Sequence, residues 1–415
     1  MSFNPIEKSV LVYDSGGLFC SMAELLTQFF GRVGYFYPWE TSFPDGRELM
    51  VGFGVPGVGR VKYFDREYKN YDLIVFPDVW SGDLQEDLRQ RGHRVWGSGM
   101  GSNLELQRWE TKEKLKKLGM DMMPCEKLIG TRALREYLKD HPDQYVKISA
   151  MRGIGETCEA KTEDDIEGWL LELESRYRDI ATLFLPFTVE QAIHDAKEVG
   201  YDGWNIDGEF PETAMFGIEK KDKAYFGTVC PYDDLPQGVL DVNGELWKLL
   251  SEYQYRQFFS TEIREKDGKN FVIDLTCRHA SPAGEVILSN CDNLAEVLWF
   301  GAEGKLIKPE FRHQFGAQLI LTSEWAEEHC QLITFPEELR SQIKLYNHCV
   351  IDGRDWVIPQ VAKMKHLGSI VTLADTPEEA VELCKEAAEE VSGFDVEYDP
   401  DALDHAVEEM KEFVK

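Results

Sequence analysis

The sequence predicts a mixed protein, α/β at its start and α+β beyond, and three observations carry that expectation. Over the first hundred residues short apolar runs alternate with helical patterns, as in a parallel sheet with crossover helices. From Phe258 to Glu285 two runs of alternating polarity flank Asp267-Gly268, the mark of an antiparallel hairpin. Beyond residue 306, apolar runs at 317–321 and 369–372 precede helical patterns at 377–391 and 401–413, which suits a small α+β unit.

Composition narrows the function. A chain of 415 residues has room for two or three domains, and 43% apolar with 12% aromatic residues is globular. The formal charge of −30 repels nucleic acid and anionic membranes, so phosphate affinity has to come from local basic clusters. Nine cysteines stand singly, without metal-ligand spacing, as reduced thiols of a cytoplasmic protein do. Residues 1–10 lack the apolar core of a signal peptide, and no run nears the roughly 18 apolar residues of a membrane helix. The expected partners are small molecules, with no nucleic acid and no membrane; a homodimer stays open.

In chain order, Ser9-Val-Leu-Val-Tyr13 is an apolar strand, followed by Asp14-Ser15-Gly16-Gly17 and a helical pattern over 18–30. Such a turn offers backbone N–H groups to an anion at a helix start, so these four residues are candidates for substrate binding. A turn that uses glycine for geometry alone is the competing reading. Strands at 34–37, 71–76 and 94–96 and a helix at 82–92 complete the sheet, while 43–60, rich in glycine and proline, reads as loop. Gly97-Ser-Gly-Met-Gly101 reads as a flexible joint and a domain boundary. A helix over 103–118 carries Arg108, Thr111, Lys112 and further lysines before Gly119 stops it. A strand at 144–150 holds Lys147 in an apolar run, costly unless the ammonium meets an anion. The adjoining Arg152-Gly153-Ile154-Gly155 has the make-up of a phosphate-covering loop. Snorkelling from an edge strand is the alternative for Lys147. An acidic helix spans 163–178, and a strand over 181–187 ends at Thr188-Val189-Glu190. The next strand runs over 198–207 from Glu198, and another over 213–219 meets the basic cluster Lys220-Lys221-Asp222-Lys223. A helix over 244–255 precedes the hairpin.

The hairpin register can be argued. A three-residue loop, 266–268, opposes Ile263 with Phe271, Thr261 with Ile273 and Phe259 with Leu275; a two-residue loop mixes the faces. In the three-residue register Glu262, Asp274, Thr276 and Arg278 share the polar face. Two carboxylates suit a hard cation such as Mg²⁺, and the arginine suits a phosphate or carboxylate oxygen. An ordinary solvated strand face is the alternative.

Taken in order, these segments resemble the ATP-grasp ligases, and among them the phosphoribosylamine–glycine ligases. The resemblance spans nearly the whole chain through short motifs: Thr111-Lys112; Val146-Lys147 before Arg152-Gly153-Ile154-Gly155; Val189-Glu190; and Asp274-Leu275-Thr276-Cys277-Arg278 with Glu262 upstream. Asp14–Gly17 is similar to the glycine ligases' early Gly-Gly loop, the run from Arg278 to Glu285 to their Arg-x-Gly-Asp-Pro-Glu segment, and 367–380 to their closing domain. The resemblance implies an ATP-grasp fold with a Rossmann-like pre-domain (1–100), an ATP-grasp domain (101–305, lid about 120–187) and a C-terminal α+β domain (306–415). It implies an ADP-forming carboxylate–amine ligase using ATP and Mg²⁺, with phosphoribosylamine–glycine ligation as its specific form. In that reading Lys112, Lys147, Gly153 and Gly155 bind ATP phosphates, Glu190 and Glu198 its adenine side or ribose hydroxyls, and Glu262, Asp274 and Thr276 the metal. Arg278 and Arg152 are catalytic, and Asp14–Gly17, Lys221 and Lys223 bind substrate. A carboxylate is a poor acyl donor; taking the γ-phosphoryl makes an acyl phosphate that an amine can attack, and such transfer needs charge neutralisation above all.

Three positions depart from the family. Thr276 stands where its metal-binding Asn would be, Leu18-Phe19-Cys20 replaces its Arg-Glu-His, and the flap has no lysine between its glycines. Two other readings follow: a catalytically degenerate ATP-binding regulatory or assembly factor, and a flavodoxin-like nucleotide binder joined to a separate enzyme.

Overall fold

The computed structural model describes residues 3–38, 50–149, 156–359 and 364–413. The apolar runs near the start form a parallel sheet of β1 (Ser9–Tyr13), β2 (Arg32–Phe36), β3 (Val58–Val61), β4 (Leu73–Val75) and β5 (Arg94–Trp96), in the order β3-β2-β1-β4-β5. Side chains alternate along a strand, so Val10 and Val12 enter one core with Leu26 and Phe30 while Leu11 enters the opposite one with Phe76. The first helix is shorter than expected, Cys20–Leu26.

The glycines at 97–101 do not make a loose joint. They form a buried turn in which the Gly97 N–H donates to the Arg256 carbonyl at 2.9 Å and the Gly99 N–H to Gln85 at 2.8 Å. A Cβ on Gly101 would lie 2.7 Å from the Tyr255 ring, so glycine serves close packing here rather than freedom.

A four-stranded sheet follows, β6 (Cys125–Ile129), β7 (Gln144–Ile148), β8 (Thr157–Ala160) and β9 (Pro186–Gln191), in the order β6-β9-β7-β8. It has its own core of Leu134, Val146, Leu170 and Phe187. The body is an eight-stranded sheet. β10 (Lys197–Ile206), β11 (Thr213–Lys220), β12 (Ala224–Pro231), β13 (Arg256–Lys266) and β14 (Lys269–Thr276) come first in the chain. β15 (Phe315–Thr322), three short strands, β16 (Gln331–Ile333), β17 (Ile343–Leu345) and β18 (His348–Ile351), then β19 (Arg354–Val357) and β20 (His366–Ala374) follow.

The large sheet runs β14-β13-β10-β11-β12-β15-β20-β17, and β16, β19 and β18 make a small separate one. The closing segment is α+β as expected, and three of its strands join the central sheet. β15 is an apolar run buried between β12 and β20, so it continues the central sheet. Among the described residues no helix is long and apolar enough to cross a membrane.

Candidate active site

The site grows from the β13–β14 hairpin, whose turn differs from the expectation. Asp267 and Gly268 both have positive φ, 51° and 74°, and close a two-residue turn with Lys266 opposite Lys269. Asp-Gly is suited to that turn, which matches the twist of the strands. Ile263 therefore faces Val272 rather than Phe271. A β-bulge then inserts Ile273 as an extra residue on β14, and beyond it Glu262 faces Asp274 and Ser260 faces Thr276. The bulge restores the parity that a two-residue turn alone would lose. The polar face is as expected, although the register near the turn is not.

The bulge also turns backbone carbonyls towards two lysines. Lys112, on the helix Arg108–Lys117, donates to the Val272 carbonyl at 3.0 Å, the Ile273 carbonyl at 2.8 Å and the Glu190 carboxylate at 2.8 Å. An ammonium has three donors, so all of Lys112's are spent inside the protein. Lys147, on β7, donates to the Ile273 carbonyl at 3.1 Å and lies 3.3 Å from Glu190 and 3.7 Å from Asp274. Burial works to lower both ammonium pKa values; it prevails at Lys112, while Asp274 and Glu190 prevail at Lys147 and raise it. Glu190 is buried between the two lysines, which outweigh burial and hold its carboxyl low. It is thus a clamp on the two lysines.

Two residues absent from the expected set complete the network. Arg108, one helical turn before Lys112, meets Asp274 at 2.7 Å and Glu156 at 2.9 Å. Glu105 accepts from the Cys277 N–H at 2.7 Å and from the Arg278 Nε at 3.1 Å, which fixes the arginine at the end of the hairpin. The signal available in the sequence was spacing: Arg108 and Lys112 are i, i+4 on one helix face.

These partners split the facing carboxyls. Burial would raise Asp274, but Arg108, Lys147 and Lys112 outweigh it and hold the group well below the usual carboxylate range. At Glu262 burial and then Glu198 outweigh Lys147 and Arg264 and raise the carboxyl to about 7. Glu262, Thr276 and Arg278 line a cleft of about 890 Å³, while Asp274, Lys112, Lys147 and Glu190 line a small pocket at the β14 bulge.

The other expected residues divide. Glu198 is at the cleft wall, half-exposed and paired with Arg264 at 3.0 Å. Lys221 lines the cleft, but Lys223 is turned away and paired with Asp399 at 2.8 Å. The Asp14 carboxylate is fully buried and accepts from the N–H groups of Gly16, Gly17 and Phe19 at 3.0, 2.7 and 2.7 Å and from the Tyr35 hydroxyl at 2.7 Å. It fills the anion nest of its own turn. Asp14, Ser15, Gly16 and Gly17 accordingly do not line the cleft, although Leu18 and Phe19 do. Arg152, Gly153 and Gly155 lie outside the described residues.

No family model matches the sequence, and neither does any curated protein. Solved structures do. The phosphoribosylamine–glycine ligase of Thermotoga maritima matches with a TM-score of 0.70 at 20% identity, covering 94% of this chain and 98% of that one. Biotin carboxylase of Campylobacter jejuni, solved as a β-γ-ATP complex, matches with a TM-score of 0.64 at 14% identity, covering 99% and 96%. Carboxyaminoimidazole ribonucleotide synthase of Aspergillus clavatus, complexed with ATP, matches with a TM-score of 0.60 at 15% identity, covering 97% and 99%. A parallel sheet, a four-stranded sheet and a large antiparallel sheet in this order, matched over nearly the whole length, give the chain the ATP-grasp fold.

Proposed function

We propose that the chain is an ATP-dependent carboxylate–amine ligase that releases ADP and phosphate. The observation that carries this reading is the pairing of Glu262 with Asp274 across the hairpin, with Lys147 behind it and Arg278 at its end. Similar structures include ligases and carboxylases solved with ATP or with MgADP and bicarbonate, which supports nucleotide chemistry in this cleft. We also propose the three-part division at residues 100 and 305, with the lid at about 120–187.

The donor set fits Mg²⁺. Glu262 offers a carboxylate, Asp274 stands opposite it, and Thr276 adds a hydroxyl, the oxygen donors that a hard divalent cation takes. These three residues would hold the ion, which would supply neutralisation of phosphate charge. Lys147 would hold phosphate oxygens once Glu190 yields it, and Arg278, oriented by Glu105, would neutralise charge on the transferred phosphoryl group. Lys112, saturated by two carbonyls and Glu190, keeps the bulge in shape instead of binding phosphate. Lys221 remains the substrate-binding lysine of its cluster.

The test is product analysis with ATP, Mg²⁺ and pairs of carboxylates and amines. ADP and phosphate are expected; AMP and pyrophosphate contradict the reading. Glycine with phosphoribosylamine is the first pair to try, since the ligase from Thermotoga maritima is among the similar structures. Tight Mg·ATP binding with no turnover by any pair would favour a degenerate, ATP-responsive binding protein, a reading to which Thr276 lends support.

A further inference from the structure

We infer that the amine substrate carries a second positive charge, bound by Asp202 and Glu219 in a glycine-floored part of the cleft beside the Tyr225 hydroxyl. That this cation is a substrate rests on the ligase reading; that a cation binds here rests on the geometry alone.

Three adjacent strands build the subsite. Asp202 on β10 faces Met215 on β11, and Glu219, four residues further along β11, faces Tyr225 on β12. Residues two apart on a strand share a face, so Gly217 and Glu219 look the same way. Asp202, Gly200, Gly217, Glu219 and Tyr225 all line the cleft of about 890 Å³. Gly217 has no side chain, and the phenol lies over it: a Cβ there would sit 2.0 Å from the Tyr225 oxygen. The hydroxyl is thereby fixed above the floor, where Asp202 and Glu219 are the charged groups that act on it most.

The groups lack partners in a way that points to a ligand. Among the described residues neither carboxylate has an ion pair; Asp202 accepts a hydrogen bond from the Ser260 hydroxyl. Tyr225 is 1% exposed, and its hydroxyl has no hydrogen-bond partner. Buried tyrosine hydroxyls ordinarily find one. Of the nearby cations Lys220 is paired with Glu409 and Lys223 with Asp399, while Lys221, exposed at the cleft edge, acts on Glu219 without outweighing burial and the neighbouring carboxylates. Burial raises both carboxyls, Glu219 to about 8, and an incoming ammonium would restore their charge.

The shape favours an organic cation over a bare metal ion. Among the described residues no three acidic, His or Cys side chains converge in a metal-binding arrangement. An ammonium has three donors to spread over two separate carboxylates and a hydroxyl. The implied substrate class is a diamine, polyamine or basic amino acid. One amine binds here and the other, unprotonated, attacks the acyl phosphate, forming the C–N bond as phosphate leaves and the amine proton passes to solvent.

The experiment is calorimetry with 1,4-diaminobutane against 1-aminobutane, with and without Mg·ATP, followed by ADP release with the same two amines, each paired with a panel of carboxylates. The diamine should bind about ten-fold tighter, and Asp202→Asn and Glu219→Gln should each cost it about ten-fold while leaving Mg·ATP binding in place. Tyr225→Phe, which keeps the ring over Gly217, should weaken the diamine without lowering the melting temperature. Equal binding of both amines, or diamine binding unmoved in all three variants, overturns the subsite. ADP release with 1-aminobutane but no preference for the diamine overturns the subsite and leaves the ligase standing. Diamine binding that weakens in the variants, with no ADP release from any amine, upholds the subsite and overturns the ligase.

Discussion

Glu262 and Asp274 face one another across a single rung of the β13–β14 hairpin, yet their carboxyl groups are driven to opposite extremes. Asp274 is held ionised by Arg108 and Lys147, while Glu262, buried beside Glu198, rises to about 7. Two carboxyls with different tasks follow from two sets of neighbours.

Asp274→Asn should therefore destabilise the protein even without nucleotide. Viewed as a pair of repelling carboxylates, the hairpin would be relieved by the change. The bond from Arg108 at 2.7 Å reverses that expectation, because a buried guanidinium loses its charged acceptor. A loss of about 1–3 kcal/mol is expected from denaturant unfolding, together with loss of metal-dependent turnover. Unchanged or increased stability would mean that Arg108 gains nothing from Asp274.

Glu262→Gln should do the opposite, and only at higher pH. In the fold Glu262 keeps its proton up to about pH 7, whereas in the unfolded chain it loses it near about 4.3. The native state thus holds more protons within that window, so this residue's contribution to stability falls as pH rises through it and stays lost above. The variant should melt a few degrees above wild type at about pH 8 and level with it at about pH 5. Equal melting at both would remove the uncompensated carboxylate.

Lys147→Met keeps length and removes charge. Loss of one charge-assisted contact is worth about 1.5–3 kcal/mol, so Mg·ATP affinity should fall about 10–100-fold in calorimetry. Lys112→Met should instead act mainly on stability, since its ammonium holds the bulge carbonyls and Glu190. If the two variants weakened ATP equally and melted alike, the division of labour between the lysines would be wrong.

Ile263→Asn tests the register. Ile263 is 0% exposed and faces Val272 next to the bulge, so an amide there is buried without a partner. A cost of about 3 kcal/mol or more is expected, read as a lowered urea midpoint. A neutral result would put Ile263, and not Glu262, on the open face.

What the sequence by itself determined was everything set by local periodicity and turn chemistry. Val10, Leu11 and Val12 had to be a strand covered on both faces, Asp267-Gly268 had to turn, and alternation put Glu262 on the open side of β13. Those features follow from backbone geometry within a few residues. What only the tertiary structure decided was the count of residues between the turn and Asp274, and which charges meet. Ile273 becomes a bulge where Lys112 and Lys147 reach its carbonyl, and both lysines arrive from elements distant in the chain. Asp14 turning its carboxylate into its own loop, Glu190 clamping two lysines and Arg108 claiming Asp274 are likewise choices among several oppositely charged groups in one chain. Alternation says which way a charge points, but ion pairing depends on separation in space, and that is fixed only when the sheets pack.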